Sequence, residues 1–402
     1  MRKNDACLVI LLMLSLLTTS IIPVSGWQVE TRRFQGNNQN GIFNDFFTDM
    51  FINLIMKFNR LPSLSACAIK NDEVVWAKAY GSADIENSIP ATVDTVYLVG
   101  SISKVITATA VMQLYEQGYF DLDDDVNNFL PFSLRNPKYP DISITYRMLL
   151  SHHSSLARLE SQELGTGFLI YNDMDVEGYP YPFFKEFLLP NGSLYEPRAW
   201  TDYEPGEAYY YSSYGIAILG YLVEIISGQE FNSYCKEHIF EPLEMYNTSF
   251  RLDEIDRDNL AVPYDYYHFL NFNNRRMPHY GYMFRPAGNL RTSVRDLSHF
   301  VIAHLNGGVY KEVRILNESN VELMQTVQFE DEDIDYNIGL GWIITEKDIG
   351  HGGSWFGCKA SMVLRPDGTA IIWFTNTFTP KIEYLKIPLL SHLLFLKAGS
   401  FL

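Results

Sequence analysis

The sequence predicts a mixed α/β fold of the α+β type, in which strands from both ends of the chain form one antiparallel sheet flanked by helices. The strand-like segments are rich in β-forming side chains and lie at residues 64–69, 74–79, 341–345, 360–364 and 370–375. Residues 120–300 hold short helical patterns and long tyrosine-rich loops. Strands at both ends with helices between them are typical of a sheet domain that carries an inserted, mostly helical domain.

The N-terminus has the composition of a secretory signal. Two basic residues, Arg2 and Lys3, precede an apolar run, and small residues follow it before Trp27. This arrangement predicts a signal peptide over residues 1–26, or an anchor helix if the segment is not cleaved. We therefore expect a secreted or extracytoplasmic protein. Residues 27–40 are polar and without pattern, which predicts a flexible lead before a single folded unit at residues 41–398.

Charge and cysteine content exclude several classes of partner and cofactor. The net charge of −17 argues against nucleic acid and anionic membrane surfaces, leaving residues 1–26 as the one expected membrane contact. Outside that segment the chain has three cysteines, far apart in sequence, so no disulfide framework is expected. The spacings C-x-x-C and H-E-x-x-H are absent, and we expect neither a metal nor another cofactor.

Local patterns place the remaining elements. Apolar residues recurring at intervals of three and four predict an amphipathic helix over residues 42–58. Four polar residues, 70–73, separate the first two strands and predict a hairpin, and residues 366–368 (Pro-Asp-Gly) predict a turn between the last two. Residues 387–396 predict a terminal helix that is too short to span a membrane.

The strongest chemical signal is a serine and a lysine three residues apart at the head of an apolar segment. Ser101 and Lys104 would be neighbours on a helix, so the amine can reach the hydroxyl. The lysine could then take the serine proton, provided that burial lowers the pKa of the amine. The apolar segment ends at Gly118, which predicts a buried helix. A second copy of the spacing, Ser233 with Lys236, lies on a polar stretch and is expected to be ordinary surface.

Two further segments could complete a site around this pair. Tyr211 lies just before a predicted helix, and near a lysine ammonium the pKa of its phenol would fall, so it could relay a proton. The alternative is that the three successive tyrosines there form an amphipathic surface. The second segment is Gly-His351-Gly-Gly353-Ser354, where glycines would leave backbone N–H groups free to bind a carbonyl oxygen. His351 could donate to a substrate acyl group or to the tyrosine oxygen.

One polar turn is interpreted as structural. His152 and Ser154 follow the short helix predicted near residues 144–150. Side chains of this kind commonly bond neighbouring backbone, and we expect these two to support the local turn rather than to act in catalysis.

Taken together, these segments resemble the β-lactamase-related serine hydrolases, a family of class C β-lactamases, D-Ala-D-Ala carboxypeptidases and allied esterases. The resemblance covers residues 42–396. Its blocks occur in the family's order and include YGSADIENSIPATVDTVYLVGSISK, ITYRMLLSHHSSL, PGEAYYYSSYGIAILGYLVEIISG, PAGNLRTSVRDLSHF, GLGW and GHGGSWFG.

The resemblance implies a role for each matched residue. Ser101 would be the nucleophile, Lys104 its proton acceptor or electrostatic partner, and Tyr211 the tyrosine of the family's Y-x-N motif. The segment containing His351 and Gly353 stands where other members have K-T-G or H-x-G. The family's oxyanion hole would consist of the N–H groups of Ser101 and Ser354. The implied fold has a cleft between the sheet domain and the inserted helical domain.

Three departures from the family pattern bear on substrate choice. Ser213 replaces the asparagine of Y-x-N and offers fewer hydrogen bonds at shorter reach. Ser155 replaces the glycine of the H-T-S-G turn, and His351 replaces a lysine that would pair with a substrate carboxylate. The changes at Ser213 and His351 count against efficient hydrolysis of β-lactams or D-Ala-D-Ala peptides.

The sequence therefore predicts a serine hydrolase that acts through an acyl-enzyme on a small acyl, ester or peptide substrate, with Ser213, Gly353 and Ser354 contacting that substrate. The alternative is a protein of the same fold that binds ligands or serves as a scaffold without turnover. The presence of a serine, a lysine and a tyrosine together favours chemistry, because a binding protein would not require all three.

Overall fold

The computed structural model describes residues 45–157, 170–172, 181–266, 274–330, 334–378 and 387–399. The predicted signal segment and flexible lead lie outside these residues. The described α-helices are α1 (Asp45–Asn59), α2 (Ser103–Glu116), α3 (Tyr146–Leu150), α4 (Tyr181–Leu188), α5 (Ser213–Ser227), α6 (Phe231–Cys235), α7 (Arg285–Gly288), α8 (Val294–Leu305), α9 (Glu318–Met324) and α10 (Ile387–Lys397).

The described strands range from two to twelve residues. They are β1 (Ser63–Lys70), β2 (Glu73–Asp84), β3 (Ile89–Pro90), β4 (Tyr97–Leu98), β5 (Ile170–Asn172), β6 (Tyr264–Tyr266), β7 (Asn274–Arg276), β8 (Tyr280–Tyr282), β9 (Arg291–Thr292), β10 (Val309–Tyr310), β11 (Val313–Arg314), β12 (Asn337–Ile338), β13 (Ile343–Ile344), β14 (Ile349–Trp355), β15 (Cys358–Leu364), β16 (Thr369–Thr375) and β17 (Thr377–Phe378).

An eight-stranded sheet organises the fold, in the order β12-β13-β14-β15-β16-β1-β2-β3. Every neighbouring pair in it is antiparallel. The first strand of the chain pairs with a strand close to its end, with Ser65 opposite Phe374. The two ends of the chain therefore meet in the middle of one sheet, which confirms the predicted fold class.

Helices cover both faces of this sheet. Successive residues of a strand point to opposite faces, and β16 shows the consequence. Trp373 packs in an apolar cluster with side chains of α1 and α10, whereas Phe374 packs in a second, larger cluster with side chains of α2 and α8. All seven residues of β16 are buried, and residues 370–374 accordingly form a continuous apolar run rather than an alternating one.

Most local predictions match the structure, and one strand is shorter than predicted. The β1–β2 hairpin turns at residues 71–72, and residues 366–367 form the turn before β16. The strand predicted over residues 341–345 is reduced to β13. The cause is Gly341, whose φ of +81° breaks the extended conformation and whose Cα lies so close to α2 that a methyl group there would be 2.6 Å from Ala108 Cβ.

The segment predicted to be mostly helical contains α3 to α8, together with strands β5 to β9 of two or three residues each. The boundaries of this insertion, 120–300, stay a prediction. Within the described part of the chain, no helix is both long and apolar enough to cross a bilayer.

A histidine of α8 is buried against α2. His304 is 2% exposed, lies 3.3 Å from Thr109 Oγ1 through its Nε2 atom, and contacts Trp342 at a ring distance of 5.1 Å. Burial lowers its pKa from 6.5 to about 3. The folded state thus holds a neutral imidazole that the unfolded chain would protonate below pH 6.5.

We predict that His304 makes stability fall with acidification. Its folded pKa lies below its unfolded pKa, so its contribution is complete above about pH 6.5 and is lost as the pH falls toward about 3. Between about pH 7.5 and 5.5 the wild type should lose about 1.4 kcal/mol of unfolding free energy relative to His304→Gln. Urea denaturation of both proteins at the two pH values measures this difference. Parallel pH dependences would contradict the prediction.

Candidate active site

The candidate nucleophile lies in a tight turn that leads into α2. Residues 100–102 form a single 3-10 turn, and the α-helix itself begins at Ser103. Gly100 has a φ of +54°, a conformation that favours glycine. The Ser103 hydroxyl donates to Gly100 O at 2.6 Å and accepts the Leu290 N–H at 2.9 Å. These bonds fix the turn and leave Ser101 partly accessible at its tip.

Lys104 is 1% exposed and reaches back to the serine. Its Nζ atom donates to Ser101 Oγ at 3.1 Å and to Ala287 O at 2.6 Å. The carbonyl belongs to α7, which is tied to α2 by a hydrogen bond of 2.7 Å from Thr107 Oγ1 to Pro286 O. The predicted proximity of Ser101 and Lys104 is present, although the serine precedes the helix instead of sharing its face.

The structure brings Tyr211 to the same place. It lies two residues before Ser213, the first residue of α5, where Ser212 serves as the N-cap. Lys104 Nζ is 4.9 Å from the centre of the Tyr211 ring. That ring in turn lies 6.3 Å from the ring of His351. Ser213 is half-buried at the start of α5.

Strand β14 packs its backbone directly against residues 100–102, the turn that carries the candidate nucleophile and is called the nucleophile turn. A methyl group added at Gly353 would lie 1.8 Å from Val99 O and 3.3 Å from Ser101 N. One added at Gly100 would lie 3.1 Å from Ser354 N. The backbones at Ser101 and Ser354 therefore approach as closely as two glycines permit.

The edge of β14 beside this turn is open. Strand β13 pairs with β14 only through Ile349 and Gly350. Among the described residues, no strand pairs with that edge of β14 from His351 onward. An extended acyl group could therefore lie along it, with its carbonyl oxygen near the backbone of Ser101 and Ser354.

The imidazoles near the lysine are neutral at physiological pH. Burial lowers the pKa of His351 from 6.5 to about 4, and the positive charge of Lys104 acts in the same direction. A hydrogen bond from His351 Nδ1 to Gly352 O acts in the opposite direction. Burial also holds the pKa of His152 well below its ordinary value, again with Lys104 contributing. The cluster thus brings together a hydroxyl, an amine and a phenol ring, and its two neutral imidazoles offer no positive charge to bind an anion.

The prediction that His152 supports only its own turn is wrong. Its Nδ1 atom accepts the N–H of Ser212, 60 residues further along the chain, at 3.2 Å. Its ring lies 4.6 Å from that of Tyr211. The contact is tertiary, so local sequence could not indicate it. Ser155 has a φ of +63°, in keeping with the glycine that it replaces, and its hydroxyl donates to Tyr203 O at 2.8 Å.

The second serine–lysine spacing is surface, as predicted. Ser233 and Lys236 are both exposed. The Ser233 hydroxyl lies 3.2 Å from a carboxylate oxygen of Glu230 at the start of α6. A carboxylate there would oppose the development of a serine alkoxide, so this copy is a poor nucleophile.

Sequence reasoning missed two parts of the arrangement. The Ala287 carbonyl that accepts from Lys104 is a backbone group, which leaves no signature of its own. The signal in the sequence is the surrounding block PAGNLRTSVRDLSHF, which belongs to the family resemblance. For the contact of His152 with Tyr211, the corresponding signal is the block ITYRMLLSHHSSL.

Comparison with known proteins identifies relatives of this chain. Beta-lactamase-like protein 2 of Dictyostelium discoideum is 31% identical over 262 residues, which is 64% of this chain and 45% of that protein. The alignment thus spans less than half of the relative's length. A penicillin-binding protein homologue from Pyrococcus abyssi, described as octameric, has 25% identity and a TM-score of 0.64, covering 84% of this chain and 75% of that one.

A second solved structure is similar in fold. The D-alanine carboxypeptidase AmpC of Burkholderia cenocepacia superposes with a TM-score of 0.65 at 19% identity, over 89% of this chain and 99% of that one. The model of the beta-lactamase family matches residues 51–390, which include the nucleophile turn, Tyr211 and β14. The chain therefore belongs to the β-lactamase family and has its serine-hydrolase fold.

Proposed function

We propose that this protein is a serine hydrolase that transfers an acyl group to Ser101 and then to water. The observation that carries the proposal is the contact of Lys104 Nζ with Ser101 Oγ at 3.1 Å inside a buried cluster. A hydroxyl becomes a useful nucleophile when an adjacent base takes its proton. Here the serine, the lysine and the tyrosine ring lie in one contiguous chain of contacts.

The proposed reaction has two stages. Ser101 Oγ attacks the acyl carbonyl while its proton passes to Lys104 or to the Tyr211 oxygen. The tetrahedral intermediate then collapses, the bond to the leaving oxygen or nitrogen breaks, and that atom receives the proton. Water attacks the resulting acyl-serine by the reverse route and releases the carboxylic acid. The N–H groups of Ser101 and Ser354 would hold the developing oxyanion.

We further propose that neutral acyl esters, rather than β-lactams or peptides ending in a carboxylate, are the better substrates. His351 is uncharged at neutral pH, because its pKa is about 4. A neutral imidazole gives a substrate carboxylate little Coulombic attraction compared with an ammonium. Ser213 offers a shorter hydroxyl where an asparagine amide would reach a substrate amide. An ester requires neither contact.

The central test is covalent labelling. We expect a fluorophosphonate to modify the wild type once, at Ser101, because this serine is partly accessible and accepts a hydrogen bond from the Lys104 amine. Intact-protein mass spectrometry followed by peptide mapping measures the adduct. Ser101→Ala should abolish it, and Ser233→Ala, which removes the other serine of this spacing, should leave it unchanged. An adduct that survives Ser101→Ala would show that the nucleophile lies elsewhere.

Two neighbouring glycines give a matched test of the oxyanion site. We predict that Gly353→Ala lowers kcat/KM for an ester by at least ~10²-fold, because the added methyl must push β14 away from the Val99 carbonyl, and misplacement by about 1 Å has an effect of that order. Gly352→Ala is the control, since its methyl would meet only Ala360 O at 3.7 Å, an ordinary contact. Equal activity of the two variants in ester hydrolysis assays would contradict the close approach.

Substrate preference is tested with a kcat/KM series on p-nitrophenyl esters, nitrocefin and a D-Ala-D-Ala peptide. We expect the esters to be hydrolysed fastest by the wild type. Ser213→Asn combined with His351→Lys should raise the nitrocefin-to-ester ratio by about 10²-fold, because the pair restores a positioning amide and a cation. If nitrocefin is the faster substrate of the wild type, or if the double variant leaves the ratio unchanged, the assigned preference is wrong.

A further inference from the structure

We propose that His152 is a positioning residue, which holds Tyr211 beside Lys104 by accepting a backbone hydrogen bond at Nδ1. The inference rests on the proposed function, since it concerns the tyrosine of that proton-transfer route. It assigns no chemical step to the imidazole itself.

Three contacts connect His152 with the segment that carries the tyrosine. The Tyr210 N–H donates to His152 O at 2.8 Å. The Ser212 N–H donates to His152 Nδ1 at 3.2 Å. Between these two bonds, the ring of Tyr211 lies 4.6 Å from the imidazole ring. One residue thus holds the backbone on both sides of Tyr211 and also contacts its side chain.

The backbone of His152 is strained, and the surrounding structure maintains the strain. Its φ is +64°, in the left-handed region that non-glycine residues seldom adopt. The adjoining residue fixes the turn, because the His153 N–H donates to Met148 O at 2.8 Å and the Gly206 N–H donates to His153 O at 2.7 Å. Strain of this kind is concentrated at functional sites. Here the strained conformation directs the imidazole toward Tyr211.

The hydrogen bond requires a neutral ring with its proton on Nε2. His152 is 4% exposed, and the charged or titratable groups that act on it are Lys104, His351 and His153, all of which oppose its protonation. Tyr209 and Tyr211 also contact the ring. The Nδ1 lone pair therefore remains an acceptor throughout the neutral pH range.

The neighbouring histidine provides the contrast. The ring of His153 stacks on Phe329 at 4.4 Å, and its Nδ1 atom is 2.8 Å from Ser151 O. It is also buried, and its ring lies 5.9 Å from that of Tyr209. His152 instead contacts Tyr211 and accepts the Ser212 N–H. The same substitution in each histidine therefore separates positioning of Tyr211 from general packing.

The test compares side chains that place a polar group at different distances from the backbone. Asparagine carries its amide oxygen at the δ position, where it can replace Nδ1, and it tolerates positive φ. Glutamine carries its amide one carbon further out, at the position of Nε2. Alanine removes the acceptor altogether. We therefore compare His152→Asn, His152→Gln and His152→Ala with the wild type and with His153→Asn.

The measurement is the pre-steady-state rate of Ser101 acylation by p-nitrophenyl acetate, with KM, kcat and the thermal midpoint determined for each protein. We expect His152→Asn and His153→Asn to acylate within about fivefold of the wild type. His152→Gln and His152→Ala should be slower by about 10²-fold at similar KM, because Tyr211 is displaced without loss of substrate binding. If His152→Ala does not fold, the acylation rates of His152→Asn and His152→Gln alone test the proposal.

Equal rates for His152→Asn and His152→Gln would overturn the proposal, whether both are fast or both are slow. In the first case no δ acceptor is needed, and in the second the imidazole ring itself is required. Loss of activity in His153→Asn equal to that in His152→Gln would show general packing instead. A wild type that is not acylated at Ser101 would instead overturn the proposed function, and this inference with it.

Discussion

The site depends on the burial of one amine. Lys104 is 1% exposed, and removing a charged or polar group from water is costly unless hydrogen bonds replace the lost solvation. Ser101 Oγ and Ala287 O accept two of these bonds. Because Ala287 is 183 residues away in sequence, α7 must dock on α2 before the amine can form both hydrogen bonds. The same docking directs the amine toward Ser101. The bonds that compensate for the burial of Lys104 therefore also fix its position beside the serine.

A second constraint is the close approach of two backbones. Gly100 and Gly353 leave no room for a side chain between the nucleophile turn and β14. This approach depends on the sheet, in which β14 is held by β15 and, through β16, by the first strand of the chain. Strands from both ends of the sequence must therefore assemble before the backbones at Ser101 and Ser354 come close together, as the proposed oxyanion site requires.

The electrostatic character of the site follows from burial. The lysine lies among rings that carry no charge at neutral pH: His152 and His351, whose pKa values are lowered by desolvation and by the lysine itself. An uncharged imidazole can accept or donate a hydrogen bond, but it cannot hold a carboxylate by Coulombic attraction. The same low-dielectric surroundings strengthen each hydrogen bond within the cluster. In the proposed function, these surroundings therefore suit both proton transfer at Lys104 and a neutral ligand.

The sequence by itself determined the sheet class, the hairpin, the buried helix after Lys104 and the segments that meet around Ser101, because these depend on local periodicity, turn residues and short spacings. It did not determine how Ser101 precedes the helix in a tight turn, or why the strand at residues 341–345 is shortened where Gly341 packs on α2. Nor could it indicate that Ala287 O accepts a hydrogen bond from Lys104, or that His152 accepts one from the backbone beside Tyr211. Only the tertiary structure decided these, since each is a contact between backbone or buried groups distant in sequence, where side-chain pattern carries no information about the partner.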